Sequence, residues 1–162
     1  MLTALHFLTH VGLSWIVANA APCASRDRWL VVTAGVLPDL DGVGILWSET
    51  AYATVHRAAG HGLVFIVLWT LVVVRYAERP VRTTALALLS FHLHLLLDAV
   101  GTGGLPIRYF WPLSDAGWTY AGRWTLASWP NAVVMAVTLL GVLLVAYRTR
   151  ISGTHAVHRG DA

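Results

Sequence analysis

Gly62-Leu-Val-Phe-Ile-Val-Leu-Trp-Thr-Leu-Val-Val-Val74 holds no charged residue, and neither does Ala132-Val-Val-Met-Ala-Val-Thr-Leu-Leu-Gly-Val-Leu-Leu-Val145. Uninterrupted apolar runs of this kind suit helices in lipid, where each backbone N–H and C=O must be satisfied within the segment. Working outward from them gives about five spans of ~20 residues: Thr3 to Ala21, Trp29 to Trp47, His61 to Tyr76, Thr83 to Val100 and Pro130 to Tyr147. The second differs, because Pro38-Asp39-Leu40-Asp41-Gly42 falls inside it and should break the helix. Irregular backbone at membrane depth is tolerated where it lines a site. The expected fold class is all-α: a polytopic transmembrane helix bundle with a broken second helix and an aromatic-rich external loop.

Composition agrees. Hydrophobic residues make up 57% of the 162 and charged residues 12%, with a mean hydropathy of +0.64, against roughly 25% charged in soluble domains. No internal repeat is visible, so one transmembrane metal-site domain over 1–147 and a disordered cytoplasmic tail over 148–162 are expected. The net charge of +3 is carried by arginine alone, scattered at the ends of apolar runs, which argues against a nucleic-acid surface. Cys23 is the only cysteine, leaving neither an intrachain disulfide nor a thiolate zinc cluster. Ala18-Asn19-Ala20 resembles a signal-peptide cleavage site, but no Lys or Arg precedes it and two histidines interrupt the run, so the first helix is expected to be retained.

Arginine placement sets the expected orientation. Arg26 and Arg28 follow the first span, Arg75, Arg79 and Arg82 lie between the third and fourth, and Arg148, Arg150 and Arg159 follow the fifth. These share one side of a five-span chain, so the positive-inside rule puts the N-terminus outside and the C-terminus in the cytoplasm of a multi-pass cell-membrane protein.

Against this apolar background stand His6, His10, Asp39, Asp41, His56, His61, His92, His94 and Asp98. An ionisable group at membrane depth costs several kcal/mol unless it meets a partner or an ion. On the arginine-derived topology, His6 and His10, Asp39 and Asp41, His56 and His61, and His94 and Asp98 all approach the external face. His94 and Asp98 are four apart and share a helix face, while His92 points elsewhere. Pro38-Asp39-Leu40-Asp41 brings two carboxylates to one irregularity, although aspartates also cap turns. His56-Arg57-x3-His61 sets two imidazoles beside an arginine that suits either an anionic group or a lipid-headgroup anchor. Together they indicate a metal centre of nitrogen and oxygen donors: His10, Asp39, Asp41, His56, His61, His94 and Asp98. Zinc fits best, manganese and iron remain open, and more than four donors suggests two metals sharing carboxylates.

The segment from Gly101 to Trp129 is rich in Gly, Trp and Tyr, as in an interfacial aromatic belt. Its second reading is a lid, with Arg108 or Arg123 reaching an anionic substrate. Ser90 and Ser114 lack the G-x-S-x-G context of a hydrolase nucleophile. His155 and His158 lie in the tail and have no expected role.

The ordered series Thr9-His10, Leu37-Pro38-Asp39-Leu40-Asp41, His56-Arg57-x3-His61, His94-x3-Asp98 and Leu105-Pro-Ile-Arg-Tyr-Phe-Trp-Pro-Leu-Ser114 resembles the YdjM-type family of membrane-bound proteins, from about Thr9 to Asn131. The resemblance implies metal-dependent hydrolysis at a membrane-embedded site, with the matching His and Asp positions as ligands. Ala58, Gly60 and Gly62 depart from the family's usual His-Arg-Gly-x-Thr-His-Ser, which puts hydrogen bonding around His61 in question. The spacing is also similar, more distantly, to zinc-dependent phospholipases C, which leans the expectation toward phosphoesters. The expected activity is therefore metal-activated water attacking a lipid-like ester or phosphoester. Asp41 or Glu49 would act as general base and Arg57 would orient the anionic group. The alternative is a non-catalytic membrane protein that binds or transports metal, which would need polar residues deep in both leaflets.

Overall fold

The computed structural model describes residues 2–102 and 104–159. Among them are α1 (Leu2–Ala18), α2 (Ser25–Ala34), a 3₁₀ helix (Leu37–Leu46), α3 (Glu49–Val55), α4 (Leu63–Tyr76), α5 (Pro80–Gly101) and α6 (Trp129–Arg159). The fold is all-helical; the one β-type pairing described is an isolated bridge between Ile107 and Trp118 in the α5–α6 connection.

By length and apolar character, α5 and Trp129–Arg150 of α6 can cross a membrane, and α2 with the 3₁₀ helix makes a third span if the bent pair is counted as one. α1 and α4, at 17 and 14 residues, are apolar but shorter. Two to three candidate spans thus stand where the apolar runs suggested about five. The shortfall has local causes: Gly60-His61-Gly62 is not helical, so α4 starts late, and α1 stops at Ala18. α6 extends to Arg159.

The break in the second span falls at Gly35-Val36, ahead of Pro38, and turns the chain by 50°. Pro38 instead occupies the first turn of the 3₁₀ helix, where its missing N–H removes no bond. Gly35 is needed for close approach, since a Cβ there would overlap the hydroxyls of Ser14 on α1 and Ser90 on α5. A helix the sequence reading lacked, α3, is capped by Ser48, whose Oγ accepts from Ala51 N at 3.0 Å.

α5 is the centre of the bundle. It packs on α1, α2 and α4, and its buried residues recur at three- and four-residue steps through Thr83, Ala87, Ser90, His94, Asp98 and Gly101. In its most apolar window 44% of residues are buried, against 11% for α6, which packs on α1 at the periphery. α1 and α6 run parallel in close contact: Gly12 faces Thr138 and Gly141 faces Ile16, with no room for a Cβ at either glycine.

This geometry gathers the arginines. Arg26 and Arg28 follow α1, and Arg26 pairs with Glu78 of the α4–α5 turn at 3.5 Å. At that end Asp27 is buried and its carboxylate accepts from Glu78 N (2.8 Å), Arg79 N (3.1 Å) and Thr83 Oγ1 (2.8 Å), tying α2 to α5. His6, His10, His56, His61 and His94 and the buried Asp41 and Asp98 lie toward the opposite end of α5.

Candidate metal centre

Asp98, on the last turns of α5, is 3% exposed and sits at the middle of the cluster. Its Oδ1 is 3.1 Å from His6 Nε2 and 3.2 Å from His10 Nε2, and its Oδ2 is 3.3 Å from His61 Nε2 and 3.3 Å from an Arg57 guanidinium nitrogen. His6 and His10 are one helical turn apart on α1, and both are buried. His94, one turn before Asp98, points its Nε2 to within 3.1 Å of His61 Nε2 and 3.7 Å of Asp39 Oδ1.

The other ring nitrogens say which atoms are free to ligate. His94 Nδ1 donates to Gly35 O at 3.0 Å, because a carbonyl can only accept, and its Nε2 therefore presents a lone pair to the cluster. His61 Nδ1 lies 3.0 Å from Asp41 Oδ2, the carboxylate–histidine arrangement that supports metal ligands. His10 is 1% exposed, and neither of its ring nitrogens has a hydrogen-bond partner; its approach to Asp98 is close but lacks hydrogen-bond geometry.

Two donor sets result, each with ligand atoms within 4.8 Å of one another: Asp39, His61, His94 and Asp98, and His6, His10 and Asp98. A proton can satisfy one pair of these atoms at a time, whereas a cation at the centre of a set satisfies all of it. Tetrahedral ligands at ~2.1 Å from zinc stand ~3.4 Å apart, close to the 3.1, 3.3 and 3.7 Å separations in the first set. The residues fit a metal.

Of the expected ligands, the structure brings His10, Asp39, His61, His94 and Asp98 together. Asp41 and His56 stand behind them. Asp41 Oδ1 is 2.8 Å from His56 Nδ1, and its Oδ2 takes the His61 contact and Gly60 N at 3.1 Å, so both oxygens are engaged in holding other groups. Gly60 answers the question raised by its departure from the family pattern. Its N–H supports Asp41, and a side chain there would strike the Pro38 backbone. His6 is the ligand-set member that sequence reasoning left out, although its spacing of four from His10 was a usable signal.

Three expected roles change. Glu49 is exposed in the first turn of α3 and belongs to neither donor set, so it is not placed as a general base. Arg57 is buried, with φ of 62°, a left-handed conformation that costs about 1–3 kcal/mol in a non-glycine residue. Its guanidinium is engaged by Leu105 O at 2.6 Å, by Thr102 Oγ1 and by Asp98, so it clamps the ligand and the chain after α5 rather than reaching out for an anion. Arg108 and Arg123 donate to the carbonyls of Thr54 and Tyr120, so neither is a free anion-binding arm of a lid. His92 is exposed and bonds Leu88 O and Tyr109 OH, as its register predicted. Ser90 is buried against Gly35, and Ser114 accepts from Ala116 N, so neither serine is paired with a histidine among the described residues. The side chains of His155 and His158 lie outside the described residues.

A cavity of about 780 Å3 reaches the cluster and is walled by His6, Asp39, His56, Arg57 and Asp98 on its polar side and by Ala4, Phe7, Ile45, Leu105 and Leu126 on its apolar side. No curated protein and no solved structure matches the chain. Residues 1–157 match the family model described as YdjM inner membrane protein, and with helices apolar enough for a bilayer and a His/Asp cluster suited to a metal, the chain belongs to that family.

Proposed function

We propose that this protein is a membrane-embedded, metal-dependent hydrolase acting on an ester or phosphoester of a lipid-like substrate. The observation that carries the reading is the facing of His61 Nε2 and His94 Nε2 at 3.1 Å while the Nδ1 of each is engaged elsewhere, beside an Asp98 carboxylate common to both donor sets. A bound divalent metal, zinc first and manganese or iron as alternatives, supplies Lewis acidity and an acidified water.

The chain's own residues divide the work. Asp39, His61, His94 and Asp98 offer four donors, the number of a closed site, whereas His6, His10 and Asp98 offer three, the number that leaves a coordination position open. His6 and Asp98 are also on the cavity wall, where a substrate can reach them. Asp41 orients His61 and His56, and Arg57 holds Asp98. His56, on the cavity wall with its Nδ1 held by Asp41, replaces Asp41 and Glu49 as the group positioned to accept a proton from water.

The topology is part of the proposal. α1, the bent α2–3₁₀ pair, α4, α5 and α6 form five passes, with the arginine end in the cytoplasm and the metal centre toward the outer leaflet. α4 at ~21 Å is shorter than the ~30 Å hydrocarbon core, so the bilayer must thin beside it.

Metal analysis of the purified protein, followed by an ester and phosphoester panel, tests the reading. Stoichiometric metal, turnover that is lost on chelation, and loss of both in His61→Ala are the expected results. Metal without turnover on any substrate would favour the non-catalytic binding or transport reading.

A further inference from the structure

The cavity at the metal centre has a roof and a side, and they differ. Its roof is the chain just after α5, where Thr102 and Leu105 are held down by the Arg57 guanidinium. Arg57 is itself fixed from behind, since its carbonyl accepts from Arg108 N at 2.9 Å. The side lies between the first turns of α1 and the 3₁₀ helix, which wall the cavity with Ala4 and Phe7 on one edge and Gly42 and Ile45 on the other. The two elements pack chiefly on other partners: α1 on α2, α5 and α6, and the 3₁₀ helix on α3 and α2.

Both edges of that gap are apolar on their outer surfaces. On α1, Phe7 is 39% exposed; on the 3₁₀ helix, Leu40, Ile45 and Leu46 range from 53% to 77%, and Trp47 just after it is 75% exposed. A 3₁₀ helix with this much exposed apolar surface, in a chain with membrane-crossing helices, belongs in contact with lipid. The gap therefore faces acyl chains, while its inner end is lined by His6, Asp98 and Asp39. At about 780 Å3 the space falls within the roughly 300–1,000 Å3 of cavities for drug-sized ligands. A headgroup and the first part of one chain would fill it, and the remainder must extend outward.

We infer that the substrate is a membrane lipid that enters sideways from the leaflet, its chain lying between Phe7 and Ile45 and its headgroup ester at the His6–Asp98 end. This rests on the hydrolase reading for the reaction but not for the route. Binding by this path requires only the gap, the apolar edges and the polar inner wall. A water-soluble ester would gain nothing from the apolar edges.

The test uses the full-length, metal-loaded protein in vesicles of phosphatidylethanolamine and phosphatidylglycerol, with a phosphatidylglycerol probe carrying a diazirine on the chain near its ester. Irradiation and peptide mapping should give adducts on Thr3–Phe7 and Gly42–Ile45, beside annular adducts on exposed α6 positions such as Leu140 and Leu144. Ala4→Trp, which adds bulk at an exposed edge of the gap, should lower the cavity adducts about ten-fold, equivalent to ~1.4 kcal/mol of lost binding, and leave the α6 adducts and metal content unchanged. Ile45→Trp on the opposite edge does the same job if Ala4→Trp does not accumulate. Cavity adducts that persist in both variants, or that a short-chain soluble phosphoester suppresses as well as the lipid does, overturn the lateral route. Because the readout is an adduct, cavity labelling without turnover would leave this route standing and remove the hydrolase reading, and turnover without cavity labelling would do the reverse.

Discussion

Asp27 and Asp98 are buried to nearly the same degree, 1% and 3% exposed, and both touch α5, one near its start and one near its end. Asp27 meets two backbone N–H groups and a hydroxyl, all obligate or ready donors, and its charge is fully satisfied by the protein. Asp98 meets three imidazoles and a guanidinium, and one of those imidazoles, His10, has no hydrogen-bond partner at either ring nitrogen. The difference teaches that burial of a carboxylate does not by itself mark a site. What marks it is whether the groups around the carboxylate can satisfy one another without an added cation. At Asp27 they do; around Asp98 the two ring nitrogens of buried His10 are left without a hydrogen-bond partner.

The largest effect that could break this comparison is on metal binding. Asp98→Ala removes a donor from both sets, so metal measured by elemental analysis should fall from stoichiometric to background. The rise in melting temperature that added metal gives the wild type, through preferential binding to the folded state, should vanish with it. Retained metal in that variant would mean Asp98 is only another satisfied buried carboxylate.

Next comes stability. Asp27→Ala leaves the Glu78 and Arg79 N–H groups and the Thr83 hydroxyl without their acceptor and should cost about 2–4 kcal/mol, read from unfolding in detergent. Metal stoichiometry of the folded fraction should not change. A loss of metal would join the two ends of α5 into one unit and dissolve the contrast.

Asp41→Asn sharpens it further. The variant keeps the volume but weakens the support of His61 and His56, and metal affinity should fall about 10–100-fold with stoichiometry restored at excess metal. The smallest effect belongs to His92→Ala. An exposed histidine outside both donor sets should change stability by no more than about 0.5 kcal/mol and leave metal affinity untouched. A fall in metal affinity would extend the centre to the outer face of α5.

Much of the site was legible because few residues could be there for any other reason. His10, Asp39, His61, His94 and Asp98 interrupt apolar runs, and the four-residue step from His94 to Asp98 fixes their common face on any helix. His6 was equally available by its step from His10. The rest was hidden for physical reasons. Whether Asp41 is a ligand or a support depends on which way a 3₁₀ turn aims its carboxylate, and that is decided by Gly60 and the loop packed on Pro38. Arg57 could be an anion clamp or an internal strut in any sequence; only its left-handed backbone and its contacts with Thr102, Leu105 and Asp98 decide.

By itself the sequence determined an apolar helical chain with arginines at alternate turns and a set of His and Asp too costly to leave unpartnered in lipid, because hydropathy, charge and helical period are local properties. Tertiary structure alone decided how far each helix extends, where the second span breaks, that Asp27 is held by obligate donors while His10 beside Asp98 is left unpartnered, and which His and Asp donors come together. Those outcomes depend on contacts between residues such as Gly35, Ser14 and Ser90, or His6 and Asp98, that are far apart along the chain and meet only when the helices pack.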